Sequence, residues 1–385
     1  MRGEIFMEAL ILSCGTGGGH NSAGEALEEA LLRRGHSVCM QNPYDLCGKN
    51  LSQRINQVYI QIAQRVPALF GVVYVLGNLY RRLPFRSPVY YANRRMVGRM
   101  EAYLSEHSYD VVLMPHLFPA EILTNLRRQG KPVPKTIFVG TDYTCIPFTE
   151  ETECDAYVIP AEDLKEEYVG WGIPEEKLFP LGIPVRQAFA EAAERDAQTA
   201  RRSASGGGRY LLISGGSIGA GKLEQVIRTL LNGRLCSGKN GARLVVVCGN
   251  NQKLYRRLWK KYGRRIKLLA HTDRMAEYMS AADVFIGKPG GLSSTEAAAV
   301  GAPLIHVSPI PGCEICNERY FARHGMSVPV RNIRRDLCKT VEALLAGRHV
   351  ERLRKNQRRC VDPRSAEKIC RLAEELTGAS NLTKS

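Results

Sequence analysis

The sequence predicts an α/β protein of two domains, each a parallel sheet flanked by helices. Segments of strand character alternate with segments of helix character along nearly the whole chain, the pattern of parallel α/β units. Glycine-rich turns join an apolar run to a stretch of helix formers at three places. The length, 385 residues, exceeds what one hydrophobic core usually organises, and 44% hydrophobic residues is ordinary for a globular chain.

Each element has a local reason. In a first domain over residues 1–187, aliphatic and β-branched runs predict strands from Ala9 to Ser13, Val38 to Gln41, Asp110 to Met114, Thr136 to Gly140 and Ala156 to Ile159. Helix formers run from Asn21 to Arg34. Residues 188–208 are the expected linker, because Asp196 to Gly208 is polar, small and glycine-ended. A second domain over residues 209–360 has strands from Tyr210 to Ser214, Arg243 to Cys248, Ile266 to Ala270, Val284 to Ile286 and Leu304 to Val307. A helix-like run spans Glu296 to Val300, helical pattern dominates from Leu337, and residues 361–385 form a C-terminal helical segment.

The first glycine turn is Cys14-Gly15-Thr16-Gly17-Gly18-Gly19-His20, the second Ser214-Gly215-Gly216-Ser217-Ile218-Gly219-Ala220-Gly221. The third is Lys288-Pro289-Gly290-Gly291-Leu292-Ser293-Ser294-Thr295-Glu296. Missing Cβ atoms let a ligand approach the backbone, and unpaired amides at a helix N-terminus favour an anion such as phosphate. A plain tight turn is the alternative for each. The dinucleotide fingerprint fails, because from Gly15 its last glycine position is His20 and no acidic residue ends the second strand near Gln41. The P-loop pattern is nearly met by Gly216, Gly221 and Lys222, but Leu223 follows where Ser or Thr would hold magnesium. No Asp-x-Asp pair is present to carry a metal-bound diphosphate; Glu153-Cys154-Asp155 comes nearest and reads equally as a solvated loop. No metal and no cofactor are therefore expected, and a diphosphate would be held by amides, hydroxyls and helix ends.

Twelve cysteines are scattered singly, without a secretory signal pattern before them, which suits reduced thiols in a cytoplasm. The close pair Cys313 and Cys316 lacks the second pair a tetrahedral zinc would need. The net charge of +16 is unevenly placed. Between Asp45 and Glu101 there is no acidic residue, while Lys49, Arg54, Arg65, Arg81, Arg82, Arg86, Arg94, Arg95 and Arg99 fall there among Tyr59, Phe70, Tyr74, Tyr80, Phe85, Tyr90 and Tyr91. Rings beside cations suit a membrane interface with anionic lipid. The apolar stretch Pro67 to Tyr80 is shorter than the ~20 residues of a transmembrane helix, so it can lie on or dip into a bilayer. A solvated basic face is the plainer alternative, and nucleic acid is not expected, since no nucleic-acid motif accompanies the charge.

Several of these motifs, in order, carry a resemblance. The Gly-Gly-Gly-His turn, Gly182-Ile183-Pro184-Val185, the turn at Gly215 to Ser217, Val247-Cys248-Gly249-Asn250, and Lys288 to Glu296 continuing into Pro309-Ile310-Pro311-Gly312 resemble the diacylglycerol glycosyltransferases. These comprise plant monogalactosyldiacylglycerol synthases and bacterial processive diacylglycerol glucosyltransferases. A more distant likeness reaches the enzyme that adds N-acetylglucosamine to the lipid-linked peptidoglycan precursor. The resemblance implies a GT-B fold, with two Rossmann-like domains facing across a cleft and the C-terminal helix packing back on the first. It further implies inverting transfer of a hexose from a UDP-sugar to diacylglycerol or a monoglycosyldiacylglycerol, on the inner face of the cell membrane. Another lipid-linked acceptor, or a non-catalytic UDP-sugar-binding membrane protein, are the alternatives.

Residue by residue, the resemblance makes His20 the base that deprotonates the acceptor, the alternative being a histidine that binds phosphate or caps the turn. Asp142, in the matching Thr141-Asp142-Tyr143, is its partner or a substitute base, or else a carboxylate satisfied in a strand-end turn. Gly17, Gly18 and Gly19 form a phosphate or acceptor loop. Glu296 would take the ribose hydroxyls, although a first-turn carboxylate also suits a helix dipole. Gly290, Gly291, Leu292 and Ser293 would face the diphosphate, with Gly216 and Ser217 opposite. Ala270, His271 and Thr272 would line the uracil, and Glu314 and Asn317 complete the donor set. The sequence departs from the family at Gly312-Cys313-Glu314, where relatives carry Gly-Gln-Glu, and at Cys145 to Phe148, where they carry His and Trp. Arg81, Arg82, Arg94 and Arg95 are the cations expected on the anionic membrane surface.

Overall fold

The structure is a computed structural model that describes residues 6–15, 18–48, 61, 67–194, 208–217, 219, 221–236 and 241–379. Contacts divide the chain into two compact units, one of Met1–Ile62, Gly71–Gln187 and Arg364–Ser385, the other of Ala63–Phe70 and Ala188–Pro363.

The first unit is built on a six-stranded sheet of β1 (Glu8–Leu12), β2 (Ser37–Gln41), β3 (Val111–Met114), β4 (Lys135–Val139), β5 (Ala156–Val158) and β6 (Leu178–Phe179). Its order is β2-β1-β3-β4-β5-β6, and every neighbouring pair is parallel. Side chains alternate across the sheet. Ala9, Ile11, Val111, Leu113, Ile137, Val139, Ala156 and Val158 share one core with Leu27 and Leu31 of the helix Gly18–Arg33. The C-terminal helix Ser365–Thr377 completes that core through Ile369, Cys370 and Ala373. Charge fixes its position as well. Arg34 holds Glu374 through two bonds of 2.6 and 2.7 Å, His36 reaches the same carboxylate at 2.8 Å, and Arg33 pairs with Glu367 at 3.0 Å.

The second unit repeats the plan with β7 (Tyr210–Ser214), β8 (Arg243–Val247), β9 (Lys267–Leu269), β10 (Val284–Gly287), β11 (Leu304–Val307) and β12 (Val328–Val330). The order is β12-β11-β10-β7-β8-β9, again all parallel. Numbered within the unit this is 3-2-1-4-5-6 read from the other edge, the doubly wound order of nucleotide-binding sheets. In such sheets ligands bind beyond the carboxyl ends of the strands where the winding reverses. That switch point lies between β1 and β3 in the first unit and between β7 and β10 in the second. The residues leaving those strands are Ser13 to Gly15 and Pro115-His116 in one, with the helix from Gly18 following the first, and the turns after Ser214 and Gly287 in the other.

Several boundaries differ from expectation. The first part of the expected linker is helical, Gln187–Glu194, and residues 195–207 lie outside the described ones. Helix Gly18–Arg33 begins three residues before Asn21, so Gly18, Gly19 and His20 form its first turn; Gly17 lies outside the described residues. Helix Gly291–Ala299 likewise begins inside the third glycine turn, five residues before Glu296.

Candidate active site

In the first unit the switch point is occupied by His20. A ring nitrogen at Nδ1 sits 2.7 Å from the carbonyl oxygen of Pro115, with Thr141 Oγ1 3.1 Å from the same nitrogen. A carbonyl only accepts, so Nδ1 carries the hydrogen and donates it, and in the neutral ring Nε2 keeps its lone pair. Burial lowers the His20 pKa below 6.5, against the opposing influence of the Asp142 carboxylate and the Pro115 hydrogen bond. The ring is therefore neutral near pH 7 and basic at Nε2. Asp142 acts on it electrostatically from the loop after β4, so these two expected residues are brought to one place.

A third member, His116, carries no signal in the sequence. Its ring centroid lies 4.5 Å from that of His20, edge to face at 70°, and 4.5 Å from that of Phe118. His116 precedes the helix Leu117–Arg128 and its Nδ1 accepts from the Phe118 amide at 3.1 Å, as an N-cap does. Burial, and then the neighbouring His20, hold its pKa well below 6.5, so no second cation stands beside His20.

In the second unit the turns after β7 and β10 lie against each other. Gly216 and Gly221 have φ of +72° and +93°, a left-handed conformation that favours glycine. A Cβ at Gly216 would stand 3.8 Å from Lys288 Cε, and one at Gly221 3.5 Å from Lys288 Cδ, so the lysine stem runs along both glycines. Gly290 precedes the helix Gly291–Ala299, whose first turn carries Gly291, Leu292 and Ser293. Their amides are the orphan donors of a helix start. The helix is fixed from behind: Asn317, fully buried, donates from Nδ2 to the Pro289 carbonyl at 3.1 Å, and Ser294 meets His306 Nε2 at 2.9 Å. Asn317 thus shapes the turn. Glu296 is buried on the same helix and is not a solvated first-turn carboxylate. Glu314 opens the helix Cys313–Arg323 and bonds Lys288 Nζ at 2.5 Å and the Ile310 amide at 2.7 Å.

Other expected residues sit apart from the two switch points. Ala270, His271 and Thr272 follow the edge strand β9, and the His271 side chain is 58% exposed, 3.7 Å from Asp273. Ser217, by contrast, stays with Gly216 in the switch-point turn after β7, and its carbonyl accepts from the Asn250 amide at 2.7 Å. Arg82, Arg94 and Arg95 are exposed. Arg81 is not: its side chain is 1% exposed, holds Glu150 at 2.8 and 2.5 Å, donates to the Cys145 carbonyl and stacks 3.6 Å from the centre of the Trp171 ring. The expected basic face therefore loses Arg81 to the interior. It gains an apolar stripe on the helix Pro67–Tyr80, where Val72, Val73, Val75, Leu76 and Leu79 are exposed and continue into exposed Leu83 and Phe85. Among the described residues no helix is long and apolar enough to cross a membrane, and no group of three or more His, Cys, Asp or Glu is placed to hold a metal ion.

Residues 20–185 match the profile of the monogalactosyldiacylglycerol (MGDG) synthases, and residues 210–369 match the glycosyltransferase family 28 C-terminal domain. A processive diacylglycerol beta-glucosyltransferase of Bacillus licheniformis is 28% identical over 346 residues, covering 88% of this chain and 86% of that one. The Bacillus subtilis protein of the same name is 27% identical over 356 residues, covering 90% and 89%. Among solved structures, Acinetobacter baumannii MurG superposes with a TM-score of 0.60 over 96% of this chain and 99% of its own, at 14% identity. That likeness identifies the two-domain α/β fold as GT-B.

Proposed function

The chain belongs to the diacylglycerol glycosyltransferase family, with an MGDG synthase region followed by a family 28 C-terminal domain, and from that premise we propose that it transfers a hexose from a UDP-sugar to diacylglycerol or a monoglycosyldiacylglycerol. The observation in the structure that carries the reading is the His20 tautomer. With Nδ1 committed to the Pro115 carbonyl, Nε2 is a neutral base at a sheet switch point, the group that activation of a hydroxyl needs. In the step we propose, the acceptor oxygen gives its proton to Nε2 and bonds to the anomeric carbon. The bond from that carbon to the diphosphate breaks, and its electron pair leaves with UDP. Attack opposite the leaving group inverts the centre. Asp142 supports the imidazolium that forms. Glu296 takes the ribose, and the amides at Gly290 to Ser293, with Gly216 and Ser217, take the diphosphate without a metal.

The acceptor is a lipid, and the exposed apolar stripe from Val72 to Phe85, with the exposed Arg82, Arg86, Arg94 and Arg95 within it or soon after it in the chain, suits peripheral docking on an anionic bilayer. The inner face of the cell membrane is the side this reading implies. The test is incubation of the purified protein with diacylglycerol liposomes and a panel of UDP-hexoses, followed by mass spectrometry of the lipids, with and without EDTA. A hexosylated diacylglycerol formed in both conditions is expected. Absence of any glycolipid across the panel overturns the function, and a strict requirement for added magnesium or manganese overturns the metal-free route.

A further inference from the structure

Lys288 has no place in the donor set expected from sequence, yet three loops converge on it. It follows β10 directly. Its stem lies along Gly216 and Gly221 of the turn after β7, and Ser308, which follows β11, has its Cβ 3.8 Å from where a Cβ of Gly221 would be. Ser308 itself holds a φ of +51°, unusual for a residue other than glycine, and its buried hydroxyl has no partner among the described residues. Gly312, four residues on, has a φ of +116°. Departures of this kind persist where the surroundings enforce them, often at ligand sites.

The ammonium of Lys288 and the carboxylate of Glu314 are 2.5 Å apart, with side chains only 11% and 16% exposed. An ion pair this enclosed is costly to break, because either charge alone would be left desolvated. It is cheap to exchange if each partner meets a replacement at the same moment. A nucleotide sugar offers both: diphosphate oxygens for the cation, and hydroxyls of the donor sugar as donors for the carboxylate. Glu314 would keep its place during the exchange, since the Ile310 amide holds its other oxygen at 2.7 Å.

We propose that Lys288 is the cation that takes the leaving diphosphate, and that Glu314 is its resting counter-ion, released to the donor sugar when the nucleotide sugar binds. The assignment rests on the glycosyltransferase reading above. As the bond from the anomeric carbon to the β-phosphate oxygen breaks, the electron pair and the new negative charge settle on that oxygen, against the ammonium. The acceptor's proton goes to the base, so Lys288 gains and loses none.

Calorimetry with UDP and with uridine, which lacks the phosphates, separates the possibilities. Lys288→Gln should weaken UDP by roughly 10-fold or more, as loss of a charge-assisted bond does, and leave uridine nearly unchanged. Lys288→Arg should retain most UDP affinity. Glu314→Gln should tighten UDP, because the competing carboxylate charge is gone. That opposite sign is what a purely structural ion pair does not produce. Unchanged UDP affinity in Lys288→Gln, or weaker UDP binding in Glu314→Gln, overturns the proposal while the wild type still binds UDP. A wild type that binds neither ligand overturns the glycosyltransferase reading, and this assignment with it.

Discussion

At the scale of single residues, the base role proposed for His20 rests on what touches its other nitrogen. Burial lowers its pKa below 6.5, and Asp142 pulls in the opposite direction. The ring is then active above its own pKa and lost as a base when pH falls through it, so the acid limb of kcat/KM should have its midpoint below pH 6.5. Asp142→Asn removes a group that favours the imidazolium. The limb should move to still lower pH, and the plateau rate should fall because the cation formed in the transition state loses its counter-charge. A limb that stays in place, or moves up, would show that Asp142 does not act on this ring. The family resemblance pointed to His20 and Asp142 through the Gly-Gly-Gly-His and Thr-Asp-Tyr strings. It did not point to His116, which has only a proline before it, nor to the burial of Arg81. A basic, acid-free segment reads as exposed, and only the tertiary approach of Glu150 and Trp171 turns Arg81 inward.

At the scale of elements, strands with aliphatic runs were legible nearly to the residue, as with Tyr210–Ser214 and Leu304–Val307. Helix starts were not. Glycine is a poor helix former, so Gly18, Gly19 and Gly291 read as turn, yet the first helical turn tolerates them. Val328–Val330 was missed because Pro329 lies inside it; as an edge strand it needs no donor from that residue on its outer side. One helix contact carries a pH dependence. Glu121 of the helix Leu117–Arg128 is fully buried; Asn93 of the helix Pro88–Arg94 donates to one carboxyl oxygen, and the other is unpaired among the described residues. Burial raises its pKa to about 8, with Asn93 opposing and the charges of Glu151 and Glu150 adding to it. The folded state thus keeps a proton that the unfolded chain loses near pH 4.5, and stability falls as pH rises from there toward about 8. Glu121→Gln should remove that decline. Its denaturant midpoint should exceed the wild type's by a margin that grows between pH 5 and 8; a constant margin would mean that Glu121 is ionised when folded.

At the scale of the whole molecule, the proposed function divides its work between two similar sheets. One carries a neutral imidazole at its switch point, the other glycine turns, a helix start and a largely enclosed lysine. The exposed stripe from Val72 to Phe85 is the feature on which the proposed docking to a lipid surface rests. Reversing Arg82, Arg94 and Arg95 to Glu should weaken sedimentation with anionic liposomes, each cation contributing about 1 kcal/mol near such a surface. Replacing Val72, Leu76 and Leu79 by Ser should weaken binding to neutral liposomes as well, and UDP affinity should survive both changes. Sedimentation unaffected by either set would leave this face merely solvated.

The central claim, base-assisted inverting transfer to a lipid, is tested most directly by the anomeric configuration of the product. With diacylglycerol liposomes and an α-linked UDP-hexose carrying a carbon-13 label, NMR of the extracted lipid should show a β-linked hexose from the wild-type protein and almost none from His20→Ala. An α-linked product, or the same β-linked yield from both proteins, would contradict it.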